Sequence, residues 1–133
     1  MRPLEEVREY FSEDKYATAT TGIVIEEASE GYARVSLKLD ERHKNAMGAV
    51  MGAVYFTMAD FAFAVATNAS EAEASTVTLD SSVRFVSSPR TDTLFAEAKV
   101  VKDGKSVSFC EIKVTDESGR DVCLVSSTGY KVK

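Results

Sequence analysis

Apolar residues recur with a helical period in two segments of the chain. The first spans residues 3–13, where apolar positions at helical spacing follow Pro3, and this predicts a short amphipathic helix. The second runs from about Gly52 to Asn68 and is apolar on all of its sides. A helix without a polar face belongs in a core, so we expect the rest of the chain to wrap it.

Alternating polar and apolar positions predict strands in the remaining sequence. They cover residues 20–28, 32–40, 75–85, 93–102, 106–115 and 121–131. The first two strands form a hairpin through residues 30–31. The later turns Asp103-Gly104 and Ser118-Gly119 place glycine second, where a tight hairpin turn often needs a positive φ. Consecutive antiparallel strands are therefore expected.

This order of elements predicts a single α+β domain over residues 1–133, because no linker rich in Pro or Gly and no internal repeat interrupts it. With 44% hydrophobic residues the chain can bury a sizeable core. One antiparallel sheet that curls around the long helix explains why that helix is apolar throughout. Such a sheet leaves an edge or a face uncovered, so we also expect self-association.

Asp60 is the only charged residue between Ala46 and Ser70. An ionised carboxylate taken out of water without a partner costs several kcal/mol, so it is hydrogen-bonded, neutralised or kept for chemistry. The stretch is long enough to span a membrane, but it is rich in Ala and Gly and would place Asp60 near the bilayer centre. We therefore expect no membrane segment, and we take Asp60 as a candidate functional residue, with a satisfied core carboxylate as the alternative.

The net charge is -5 and the isoelectric point is near 4.9, which argues against nucleic acid or an anionic membrane as the partner. The first residues are charged and do not form a secretory signal, so we expect a cytoplasmic protein. Cys110 and Cys123 lack metal-ligand spacing and are expected to be reduced strand residues.

His43 is the only histidine, and no Gly-x-Ser-x-Gly motif is present, so the sequence does not favour a Ser-His-Asp hydrolase. One histidine and two distant cysteines give no metal-ligand cluster, and the glycine-rich phosphate-binding motifs are absent. We expect no metal and no cofactor. Candidate chemistry is left to the segment from His43 to Asp60.

Short motifs in and after this segment form a recognisable pattern. They are His43-Lys44-Asn45, Gly48, Met51-Gly52-Ala53, Asp60, Val77-Thr78-Leu79-Asp80 and Val83-Arg84-Phe85, with Pro89 soon after. In these motifs the chain resembles the hot-dog-fold acyl-CoA thioesterases, in particular the group related to the phenylacetic-acid-degradation thioesterase. The resemblance covers residues 18–132, the expected core, and leaves the helix within residues 1–14 outside it. It implies the hot-dog fold, hydrolysis of an acyl-CoA thioester, and a homodimer or homotetramer.

The resemblance implies a catalytic role for four residues. Asp60 would be the general base or nucleophile in a site formed with a second subunit, and Gly52 would offer its N–H to the developing oxyanion. Asn45 would orient the substrate or the base, and Thr78 would help to hold the attacking water. Structural alternatives stay open: Asn45 as a loop cap, Thr78 as an ordinary strand residue, and Gly52 for close packing.

Met51 and Ala53 depart from the family, which usually has histidine and a second glycine at these positions. Because Met51 cannot donate a hydrogen bond, a non-catalytic hot-dog protein that binds acyl-CoA or a small ligand stays as the alternative function. The candidates for substrate binding are Met51, His43, Phe61, Arg84 and Arg90, with His43 alternatively a structural loop residue. An apolar pocket is expected from some combination of Tyr55, Phe56, Phe61 and Phe63. Lys102 and Lys105 join the two arginines as candidates for phosphate contacts.

Overall fold

A computed structural model describes residues 1–70 and 75–132. Two α-helices and six strands follow one another along the chain. They are α1 (Leu4–Phe11), β1 (Val24–Ser29), β2 (Tyr32–Lys38), α2 (Gly52–Asn68), β3 (Ser75–Phe85), β4 (Thr93–Asp103), β5 (Val107–Asp116) and β6 (Asp121–Val132). A π-helix (Tyr16–Thr21) and a 3-10 helix (Glu41–His43) stand in the connections that precede β1 and α2.

The strands form one sheet in the order β1-β2-β4-β5-β6-β3, and all neighbouring strands are antiparallel. Alternate residues of the central strands are buried and face α2, as the pattern of β5 illustrates. The sheet thus wraps the apolar helix, and the predicted α+β architecture is confirmed. β1 and β3 lie at the two edges of the sheet.

A glycine in β6 lets α2 pack closely on the sheet. A Cβ atom at Gly129 would lie 2.5 Å from the Phe63 ring and 2.6 Å from the methyl group of Thr76. Phe63 is 1% exposed, so its ring fills the space that a side chain at residue 129 would need. Close packing of Phe63 against β6 therefore depends on this glycine.

The predicted bounds of α2 and β3 agree with the structure, whereas those of the first strand do not. That strand was expected from residue 20, but the backbone there closes a π-helix, with the N–H groups of Gly22 and Ile23 both bonded to the Ala17 carbonyl. Gly22 then reverses the chain with φ 95°. The strand therefore begins at Val24. The prediction from residue 20 was wrong because alternation over so few residues does not distinguish a strand from a helical turn in which every fourth or fifth residue is buried.

The two turn glycines of the later hairpins differ. Gly119 has φ 90°, as predicted, but Gly104 is not in the left-handed region, so that prediction was wrong. A Cβ atom at Gly104 would lie 2.8 Å from the Val107 carbonyl oxygen, which accepts the Gly104 N–H. Close approach of two backbone segments, and not a positive φ, requires glycine there.

Cys110 and Cys123 are buried free thiols of β5 and β6, in line with their expected strand positions. Within residues 1–70 and 75–132, no helix combines the length and apolar character needed to cross a membrane.

Candidate active site

Asp60 faces a cleft between α2 and the segment that follows α1. The cleft has a volume of about 530 Å³. Its walls are formed by Asp14, Lys15, Tyr16, Ala17, Phe56, Thr57, Asp60, Phe61 and Ala64. Phe61 is buried and meets the Phe11 ring edge-on, with 6.0 Å between the ring centroids, so α1 supports this wall. The carboxylate thus lies on a largely apolar surface that remains open to solvent.

Thr78 donates a hydrogen bond from Oγ1 to Oδ1 of Asp60 over 2.8 Å. The two residues come from β3 and α2, and a β-bulge in β3 lies at this point. Thr78 pairs with Gly129 and Asp80 with Thr128, which leaves Leu79 between them without a partner. A bulge changes the direction of nearby side chains, so the pairing of Thr78 with Asp60 depends on the register of the sheet.

Asp14 is a second carboxylate on the same cleft. Desolvation raises its pKa above the usual 3.8, and the charge of Asp60 raises it further. Sequence analysis missed Asp14, because nothing along the chain distinguishes it from the acidic residues around it. Its relation to Asp60 arises only from the fold.

A second cleft, of about 450 Å³, lies at the start of α2. It is lined by Val50, Gly52, Tyr55, Phe85, Val86, Ser87 and Ser88. Gly52 is the first residue of α2, and no side chain caps this helix end. The first N–H groups of a helix have no carbonyl partner within it and carry the positive end of its dipole. This end of α2 is therefore suited to an oxygen that carries negative charge.

Phe85 and Tyr55 shape this second cleft. A Cβ atom at Gly52 would lie 2.9 Å from the Phe85 ring, so the glycine also permits close packing. The Tyr55 and Phe85 ring centroids are 6.2 Å apart. Burial raises the pKa of the Tyr55 phenol, and the Cys123 thiol acts in the same direction. The phenol is therefore protonated at neutral pH.

Gly52 and Asp60 stand at opposite ends of two helical turns. Eight residues at 1.5 Å each separate them by about 12 Å along α2. The two clefts of one chain are therefore too far apart to act on the same reacting group, which spans only a few ångströms.

Asn45 and His43 hold the loop that precedes α2. Oδ1 of Asn45 accepts the N–H groups of Met47 and Ala49, at 2.9 and 3.1 Å. The His43 ring is 3% exposed; its Nδ1 accepts the Asp40 N–H, and its Nε2 lies 2.8 Å from the Thr21 carbonyl oxygen. Both ring nitrogens of His43 are thus occupied by backbone groups, which matches its structural alternative and leaves neither for a substrate.

The remaining candidates lie apart from Asp60. Met51 is half exposed and precedes α2 as its N-cap. Arg84 lines a separate groove of about 240 Å³ with charged residues of β4 and β5. The Arg90 N–H donates to the Asp116 carboxylate, whose pKa is lowered to about 2, chiefly by the Ser118 hydroxyl. Neither Arg84 nor Arg90 is among the residues that line the two clefts of α2 within this one chain.

Comparison with known proteins identifies the family and the fold of this chain. A model of the thioesterase superfamily matches residues 47–123, which include α2, β3, β4 and β5. The 1,4-dihydroxy-2-naphthoyl-CoA hydrolase of Listeria monocytogenes is 28% identical over 110 residues, which cover 82% of this chain and 89% of that protein.

Two solved structures share the fold. The E. coli PaaI protein from the phenylacetic acid degradation operon has a TM-score of 0.84 and 23% identity, covering 98% of this chain and 97% of that one. A Hypothetical Thioesterase Protein with Coenzyme A from Streptococcus pneumoniae TIGR4 has a TM-score of 0.79 and 20% identity, covering 92% and 96%. The predicted hot-dog fold is confirmed, and since the family model matches more than half of the sequence, the chain belongs to the thioesterase superfamily.

Proposed function

We propose that this protein hydrolyses an acyl-CoA thioester to the free acid and CoA, with Asp60 as general base or nucleophile. The observation that carries the proposal is the hydrogen bond from Thr78 to Asp60 in an open, largely apolar cleft. One carboxylate oxygen accepts the Thr78 hydroxyl, and the other is left to act. The CoA-ester hydrolase named above, at 28% identity, supports acyl-CoA as the substrate class.

As a base, Asp60 takes a proton from a water molecule while the water oxygen bonds to the thioester carbonyl carbon. The tetrahedral intermediate then loses CoA as its C–S bond breaks, and the thiolate sulfur takes the proton that Asp60 received from the water. As a nucleophile, the carboxylate itself forms the bond to carbon and releases CoA, and water then cleaves the resulting anhydride. In both routes negative charge develops on the carbonyl oxygen, where the Gly52 N–H would stabilise it. The apolar walls at Phe56 and Phe61 suit the acyl group.

The site is proposed to form between two subunits. Within one chain Asp60 and Gly52 are about 12 Å apart along α2, so a Gly52 N–H that bonds a thioester held at Asp60 would belong to another copy. β3 runs beside both clefts, because Thr78 bonds Asp60 at one end and Phe85 packs on Gly52 at the other.

β3 is an edge strand with exposed apolar residues. They include Val77, Leu79 and Phe85. If β3 pairs antiparallel with β3 of a second copy, the Thr78 end of one strand meets the Phe85 end of the other. That arrangement brings Asp60 of each subunit towards Gly52 of its partner, in a homodimer or a dimer of dimers.

Roles for the other candidates follow from their positions. Asn45 fixes the loop that leads into the start of α2, and we assign it to orienting the Gly52 N–H. Arg84 and Arg90 are proposed to meet CoA phosphates from outside the clefts.

A thiol-release assay tests the function across short, long and aromatic acyl-CoAs. We expect turnover of at least one, a loss in Asp60→Asn, and normal rates in the control Asp92→Asn, which alters an exposed loop carboxylate. A non-catalytic acyl-CoA-binding protein is the second candidate, favoured by Met51, which has no hydrogen-bond donor at the helix start. Tight acyl-CoA binding without turnover of any thioester would establish this second function.

Subunit mixing tests the shared site. Gly52→Pro removes the N–H at a helix position that tolerates proline, although the Phe85 ring must move. Mixed dimers of Asp60→Asn and Gly52→Pro chains, purified with two different tags, would have one intact site. We expect up to half of the wild-type turnover, whereas sites confined to single chains would give none.

A further inference from the structure

Tyr55 is a buried residue whose hydroxyl has no hydrogen-bond partner among the described residues. Tyr55 is 6% exposed, and its ring packs near Phe85. Among the described residues, every fully enclosed side-chain nitrogen or oxygen has a hydrogen-bond partner. The unpaired hydroxyl is therefore not fully enclosed, and it meets the cleft at the start of α2 that Tyr55 lines.

Tyr55 and Gly52 line the same cleft at the start of α2. Tyr55 lies three residues after Gly52, so both are on the same side of the helix. Side chains on a helix lean towards its N-terminus, which offsets the rise of about 4.5 Å between the two residues. Phe85 contacts both of them, as its ring lies over Gly52 and beside the Tyr55 ring.

No hydrogen bond among the described residues depends on this hydroxyl. A phenylalanine at residue 55 would keep the ring contacts and would avoid placing an unpaired polar group next to the core. Met51, which precedes Gly52, cannot donate a hydrogen bond. Tyr55, Ser87 and Ser88 are the lining residues of this cleft that carry a side-chain hydroxyl, and the Ser87 hydroxyl already donates to the Asp121 carbonyl oxygen.

We propose that Tyr55 is a catalytic residue whose hydroxyl, together with the Gly52 N–H, donates a hydrogen bond to the thioester carbonyl oxygen of the substrate. The inference rests on the proposed function and adds a second donor to it. As negative charge grows on that oxygen, both hydrogen bonds strengthen, and the proton stays on the phenol throughout.

Kinetics of Tyr55→Phe test the inference against Tyr130→Phe, which removes an exposed hydroxyl from β6. We expect kcat of Tyr55→Phe to fall by about 10²-fold with little change in KM, since one oxyanion donor is lost. Its melting temperature should hold or rise, because the hydroxyl has no partner in the fold. A clear fall in the melting temperature, or an unchanged kcat, would overturn the proposal.

Binding provides a readout that does not need turnover. Two non-hydrolysable CoA thioethers are compared by calorimetry: a phenacyl thioether, which retains a carbonyl, and a phenethyl thioether, which lacks it. The wild-type protein should prefer the ketone, and Tyr55→Phe should reduce that preference by about 2- to 10-fold, as expected for the loss of one of the two neutral hydrogen bonds. An equal preference in both proteins, or no binding of either compound, overturns the inference.

The two proposals fail in different ways. If the protein hydrolyses no acyl-CoA yet prefers the ketone through Tyr55, the proposed function falls and the contact of Tyr55 with the carbonyl stands. If Asp60→Asn abolishes turnover while Tyr55→Phe is fully active, the proposed function stands and the role of Tyr55 is refuted.

Discussion

Replacing Asp60 by asparagine separates the charge of this side chain from its shape. Oδ1 of Asp60 accepts the Thr78 hydroxyl at 2.8 Å, and the amide oxygen of asparagine can accept the same bond. Exchange of a charge-assisted hydrogen bond for a neutral one costs about 1 kcal/mol. Against this, the loss of the charge relieves its repulsion of Asp14, whose pKa it helps to raise.

Because these two changes oppose one another, the free energy of unfolding should change by at most about 1 kcal/mol in either direction. For a chain of this size that corresponds to about 5 °C or less in melting temperature. Turnover should fall by roughly 10²- to 10⁴-fold, because the amide can neither take a proton from water nor attack the carbonyl carbon. Acyl-CoA binding should persist, since the shape of the cleft is unchanged.

Thiol release gives the rate, calorimetry gives the affinity for acyl-CoA, and thermal unfolding gives the stability of the same preparations. Asp92→Asn serves as the control for the loss of one carboxylate outside both clefts. A stable Asp60→Asn protein with full activity would refute the catalytic assignment. A loss of several kcal/mol in stability, with activity lost only as the protein unfolds, would instead identify Asp60 as a structural core residue.

Three further predictions concern the surroundings of Asp60. A raised pKa means that protonated Asp14 stabilises the fold at low pH, and that this contribution is lost as the pH rises through its folded-state pKa. Asp14→Asn should therefore gain stability over wild type as the pH rises above about 3.8. A difference in unfolding free energy between the two proteins that stays constant with pH, measured by urea titration, would contradict this. Met51→His should raise turnover of at least one acyl-CoA by roughly 10-fold or more, since it restores a hydrogen-bond donor beside Gly52. If a stable variant shows no gain in turnover, Met51 belongs to a different pocket. Ser82→Cys, near the midpoint of Thr78 and Phe85 on β3, should form disulfide-linked dimers on mild oxidation, whereas Ser75→Cys at the strand end should not. Equal cross-linking of the two variants on denaturing gels would argue against the proposed antiparallel pairing of β3 strands.

The sequence predicted the long elements well because their patterns are strong and local. α2 was placed within its observed bounds because apolar residues fill the stretch between Gly52 and Asn68. Asp60 stood out for the same reason, as the one charge in that stretch. The bond between Thr78 and Asp60 depends on a bulge in β3 and was not predicted; the resemblance to a family pointed only to Thr78 as a residue that holds the attacking water.

The remaining features depend on contacts between distant residues. Asp14 belongs to the cleft only because the π-helical segment folds back against α2, and the last two residues of that segment were predicted as the start of a strand. His43 was among the substrate-binding candidates, yet its ring is buried between backbone groups of two loops. Hydrophobic periodicity indicates which face of a helix or strand is buried, but it does not indicate which loop covers that face.

The length of α2 offers a physical reason for a shared site. A helix that exposes its first N–H groups to a substrate must leave that end uncapped, and a carboxylate at the same end would itself occupy those groups. Asp60 lies about 12 Å further along, so it is too distant to bond the free N–H groups of its own helix. Antiparallel pairing of β3 strands would then bring each carboxylate to the partner's open helix end only when the dimer forms. On this account a monomer holds both chemical groups and still cannot use them together.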